Sequence, residues 1–98
     1  RMLAHCTSPC TPINVTGPRH TSIRWLAAEF GQRLGRPVQI TGQEAETAWL
    51  IDTREAQRLF GPPRVPLETL IDWTADWVAR EGPSLNKPTH FSTRDGKY

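Results

Sequence analysis

The sequence predicts an α/β fold: a small βαβ unit with two parallel strands, plus two further helices. Ile13-Asn14-Val15 and Val38-Gln39-Ile40 alternate apolar and polar side chains, as half-buried strands do. Between them Ile23, Leu26, Ala27, Phe30 and Leu34 recur at helical spacing, and Gly35 and Pro37 stand where a helix stops. Strand, helix and strand with short joints form a right-handed crossover, which makes the two strands parallel. Pro12–Gly42 is therefore the unit on which the remaining elements should pack.

The totals bound what such a chain can be. Ninety-eight residues make one domain or part of one. At 37% hydrophobic residues the core is small, so the four Trp must supply much of it. No apolar run approaches the ~20 residues that cross a bilayer. The chain shows no secretion signal either, and the expected compartment is cytoplasmic. Residues 1–42 carry five Arg against Glu29, and residues 43–81 carry eight acids against four Arg. Such modest blocks read as solvated faces, not as the dense basic stripe of a nucleic-acid interface. Neither a nucleic acid nor a membrane is an expected partner.

Taken in order, Arg1–His5 reads as the last turn of a helix, which makes the chain look like a piece of something larger. Cys6 and Cys10 flank Pro9 in a Thr/Ser/Pro connector. Two thiols cannot complete a four-ligand zinc site, and they read as ordinary cytosolic thiols. Gly17 ends the first strand. Thr21 or Ser22 caps the first helix through its hydroxyl, and Trp25 lies off that helix's apolar stripe, where it either covers the flank of the helix or meets a neighbouring chain. Gln43–Thr47 is an acidic loop holding Glu44 and Glu46, and Trp49-Leu50-Ile51 is a short apolar run.

Asp52 with Glu55 three residues on reads as a capping box for a helix over Thr53–Phe60. Gly61 is its left-handed stop, and Ala56, Leu59 and Phe60 form its inner face. After a stiff Pro62–Pro66 connector, Leu67, Leu70, Ile71, Thr74, Trp77 and Val78 form the strongest helical stripe, widened by Trp73. Both Trp fit a core. Asp72 and Asp76 lie on the polar side and read as solvated. The domain is expected over residues 1–82, with 83–98 an extended polar tail whose only candidate anchors are Leu85 and Phe91.

No Gly-rich phosphate loop, Ser/His/Asp set or metal-ligand spacing is present in the sequence. By its own residues the chain is not an enzyme, and it carries no catalytic, cofactor-binding or metal-ligating residue.

The order of the pieces resembles the C-terminal part of the NAD-dependent epimerase/dehydratase family, the extended short-chain dehydrogenase/reductases. Ile13-Asn14-Val15-Thr16-Gly17 resembles the strand that opens that region. Ser22–Gly35 followed by Pro37-Val38 is similar to its capped helix. Asp52, Ala56 and Gly61 align with an Asp-x-Ser-Lys-Ala-x-x-x-Leu-Gly pattern, with Phe60 in place of Leu. Pro63, Leu67-Glu68 and Trp77 match the last helix. The resemblance implies a substrate-side portion that closes over a cleft. NAD or NADP would be bound by a Rossmann domain outside these residues, through its Gly-rich loop and Tyr-x-x-x-Lys pair.

Two departures limit the carry-over. Members acting on nucleotide sugars hold the diphosphate with an Arg and an Asp from the loop before the Asp motif. Here that loop, Gly42–Thr47, is short and acidic, which disfavours a phosphate. Arg54 and Glu55 replace the Ser and Lys. The substrate-facing candidates are Glu44, Glu46 and Trp49, whereas Gly17, Ser22, Asp52, Glu55, Gly61 and Trp77 are expected to be structural. The alternative is a freestanding α/β module docking a partner protein through Trp25 or Trp49. A chain that lacks its cofactor half should also self-associate, with Trp25, Trp49 or Leu3 near the contact.

Overall fold

The computed structural model describes residues 1–89 and residue 93. It contains three α-helices: α1 over Ile23–Leu34, α2 over Arg54–Phe60 and α3 over Leu67–Ala79. A single 3-10 turn, Met2–His5, precedes them.

Among the described residues there is no strand, so the predicted α/β class is corrected to an all-helical one. The physical reason is the shortness of the two alternating segments. A two-stranded ribbon is marginal even at full length, and each segment has a competing attachment. Val38 folds back onto α1, where a Cβ on Gly31 would lie 2.5 Å from its side chain. Asn14 donates its Nδ2 hydrogen to the backbone carbonyl of Asp52, at 3.2 Å. Side chain and helix surface have replaced the expected ladder.

The helix ends follow local chemistry closely. Ser22 is the N-cap of α1, its Oγ accepting the Trp25 N–H at 3.4 Å. At the other end Gly35 takes φ 62°, ψ 30°, and Arg36 N–H reaches back to the Gly31 carbonyl at 3.0 Å. The start of α2 differs from the expected capping box. Thr53 holds the N-cap position, and Asp52, one residue earlier, accepts the Arg54 N–H at 3.0 Å. Glu55 turns to Arg58 instead of reaching back. Gly61 closes α2 at φ 76°, ψ −178°. That is not the left-handed helical conformation but a region open essentially to glycine alone.

The helix pair α1–α3 is the main tertiary contact. Ile71 and Ala75 of α3 are buried, as are Ala56 and Thr53 of the α2 unit. Thr53 is satisfied, its Oγ1 accepting from Gln57 Nε2 at 2.9 Å. Arg33 on α1 clamps the pair, with Nε 2.5 Å from Asp72 on α3 and Nη1 2.5 Å from Glu29 one turn back. Arg19 adds a second tie, 2.8 Å from Glu68, while its guanidinium lies 4.8 Å above the Trp25 ring. Trp25 is thus half-buried under Arg19 on the flank of α1.

The expected core of Trp73 and Trp77 is not found: they are 59% and 54% exposed. The apolar arc of α3 is wider than the surface that α1 covers. Of the two candidate anchors of the tail, Leu85 is 85% exposed, and Phe91 lies outside the described residues. Both cysteines are free and exposed. No helix among the described residues is long and apolar enough to cross a membrane.

Gly61 and Gly17 give a matched test of these backbone assignments. Gly17 has an ordinary φ and open space where a Cβ would stand, as does Gly61 apart from its φ. Gly61→Ala should therefore lower unfolding free energy by ~1–3 kcal/mol, and Gly17→Ala should leave it within ~0.5 kcal/mol. Urea denaturation followed by circular dichroism reads both, and equal losses would refute the assigned Gly61 conformation.

Candidate functional site

An open cleft of about 460 Å³ lies between the Pro12–Asn14 segment and the start of α2. Ile13 and Pro12 supply its apolar wall. Asn14, Asp52, Arg54, Glu55 and Arg58 supply the polar one. The walls are thirty-eight residues apart in sequence and are joined by the Asn14–Asp52 hydrogen bond. Arg1 and His5 brace the far end of α2. Arg1 Nη1 donates to the Phe60 carbonyl at 2.8 Å, and the His5 ring meets the Phe60 ring edge-on at 5.3 Å.

Each charge in the cleft is neutralised by a near neighbour. Arg54 grips Asp52 with Nε donating to Oδ1 at 3.0 Å and Nη2 donating to Oδ2 at 2.5 Å. Arg58 grips Glu55 through Nε at 3.0 Å and Nη2 at 2.6 Å. Both pairs have the forked geometry that makes Arg–carboxylate contacts directional. The Arg54 side chain, helped by its own backbone N–H, pulls the Asp52 carboxyl down to about 2. Glu55 is held below the ordinary carboxylate range chiefly by its hydrogen bonds to Arg58. Neither acid carries a proton near neutral pH, so neither can serve there as a general acid. What the cleft offers is a set of hydrogen-bond donors and acceptors with balanced charge.

The expected substrate-facing residues lie elsewhere. Glu44 is held by Arg24 of α1, Nε to Oε1 at 2.5 Å, which offsets one of the two charges of the acidic loop. Glu46 is exposed, and Trp49 is 55% exposed. None of the three lines the cleft. Of the expected structural residues, Ser22 caps α1, while Asp52 and Glu55 stand in the cleft wall. Gly61 ends α2, Gly17 is exposed, and Trp77 is on the surface. Sequence reasoning missed Asn14, Arg54 and Arg58 as cleft residues. Only the Glu55–Arg58 spacing on a helix carried a local signal for its pair. Among the described residues no three His, Cys, Asp or Glu side chains converge on a point where a metal could sit.

The depressed Asp52 carboxyl has a consequence for stability. The unfolded chain takes up a proton near the ordinary carboxylate value of 3.8, whereas the folded chain resists until about 2. Acid therefore favours unfolding, and the contribution present above pH 4 should disappear as pH falls toward 2. Carboxyl carbon shifts followed by NMR should place the Asp52 midpoint near 2 in the native chain, moving up toward the ordinary value in Arg54→Ala. A midpoint near 4 in both would refute the pairing.

No protein-family model matches this chain, and no curated protein or solved structure shows significant similarity to it.

Proposed function

We propose that this chain is the substrate-side portion of an NAD(P)-dependent oxidoreductase or epimerase. The cofactor loop and the catalytic residues would lie on a different part of the longer protein. The observation that supports this reading is the Asn14–Asp52 junction, which makes one cleft from two separate motifs of the resemblance, the Ile13–Gly17 stretch and the Asp52–Gly61 stretch. The charge-balanced wall of that cleft suits orienting hydroxyl or carbonyl groups by hydrogen bonds rather than doing chemistry on them. Hydride exchange between nicotinamide and a carbon would be performed by the cofactor-binding portion. Val38, Ile40, Trp49, Leu50 and Ile51, all substantially exposed, would supply surface for that portion to cover.

Isothermal titration with NADH and NADPH tests the proposal. The 98-residue chain alone should show no binding. A longer protein that carries a Gly-rich loop and a Tyr-x-x-x-Lys pair ahead of Arg1 should bind one of them. Cofactor affinity in the chain alone, or a longer reading frame lacking both motifs, would overturn the assignment.

A further inference from the structure

We propose that Cys6 and Cys10 form a reversible disulfide that closes the connector between the first turn and the cleft wall. The backbone bends at Ser8 and Pro9, midway between the two thiols. The Thr7 hydroxyl donates to the Pro9 carbonyl at 2.9 Å, and its oxygen lies 2.9 Å from that of Thr11. With bonds of ~1.5 Å, that contact holds the Thr7 and Thr11 Cα atoms within about 8 Å, where an extended chain would span about 13 Å. Cys6 and Cys10 have the same separation, one residue earlier, and bracket the bend itself. The turn already supplies much of the folding back that a disulfide needs, with its Cα atoms roughly 4.4–6.8 Å apart.

Both thiols are free and exposed, so a small reagent reaches them. Cys6 Sγ donates to the Met2 carbonyl at 3.9 Å. That bond is weak, and rotation about χ1 releases it on the fast timescale of exposed side chains. The step is a thiol–disulfide exchange. One cysteine, as its thiolate, attacks a low-molecular-weight disulfide and expels one thiolate from it. The other cysteine then attacks the protein sulfur of the mixed disulfide and expels the second. Two protein thiols have given up two electrons and two protons, and the reagent has become two thiols. An excess of a reducing thiol runs the exchange backward.

The place of the pair gives the bond its effect. His5, next to Cys6, packs its ring on Phe60 at the end of α2, and Pro12, two residues after Cys10, belongs to the cleft wall. Closing the connector between these points restrains the Pro12–Asn14 wall, so oxidation stiffens the cleft and reduction loosens it. This holds whatever the cleft binds and does not rest on the cofactor reading.

The full chain in an oxidising glutathione buffer, with remaining thiols then blocked by N-ethylmaleimide, is read by mass spectrometry. The expected main product is a monomer two hydrogens lighter than the reduced chain, free of glutathione and maleimide and restored by dithiothreitol. Cys6→Ser and Cys10→Ser should each stop at the glutathione adduct. In concentrated urea, where the Thr7–Thr11 turn is lost, the disulfide fraction in the same buffer should fall several-fold. Amide hydrogen exchange at Thr11, Ile13 and Asn14 should slow several-fold in the oxidised chain. Glutathione on both thiols, disulfides between chains, a yield unchanged by urea, or exchange unchanged by oxidation would each overturn the proposal.

Discussion

The clamp made by Arg33 is the interaction on which the rest of this structure depends. With so few side chains buried, apolar area alone gives α1 and α3 a weak hold on each other. Arg33 lies three-quarters out of solvent between Glu29 and Asp72 and binds both. Its two carboxylates, Asp72 foremost, raise its pKa further, so it remains a cation under all ordinary conditions. A guanidinium suits this position because its planar fork serves two acceptors at once. An ammonium would satisfy one direction at a time.

A second set of ties extends that pair outward. Arg19 bridges Glu68 and stacks on Trp25, Arg24 meets Glu44, and Asn14 holds Asp52. The first two join an irregular segment to a helix, and the third joins the Pro12–Asn14 segment to the residues just before α2. These links are individually weak, since exposed pairs gain little over water. Together they define where the segments before α1 and α2 run. The cleft beside α2 is a product of this tethering, and its paired charges follow from it. A carboxylate held by a forked arginine loses its basicity along with its capacity to take up a proton.

The cost of a fold built this way is open apolar surface. Ile71 and Ala75 are covered, yet Leu70, Trp73 and Trp77 on the adjoining arc are not. A helix whose apolar arc is wider than its neighbour's footprint must find a second partner or stay exposed. The extended segments pose the same problem, because their alternating apolar residues have no sheet to face.

The helices were legible in the sequence because their signals are local. Ser22 caps α1 whatever surrounds it, Gly35 and Gly61 supply backbone conformations that other residues avoid, and the period of Leu67–Val78 is helical in isolation. Strand pairing is not local. Ile13–Val15 and Val38–Ile40 carry the alternation of strands, but a ladder needs a partner at the right place. Here Val38 found α1 and Asn14 found Asp52. Burial is equally non-local: the stripe of α3 specified an apolar face without saying how much of it a neighbour would cover. The cleft residues were hidden for the same reason, since Asn14 and Arg54 acquire a shared role only when distant segments meet. Short-range hydrogen bonding and backbone sterics thus determined the helices and their ends from the sequence alone. Which faces are covered, which charges are paired and where a cleft opens were decided only when the segments competed for one another in three dimensions.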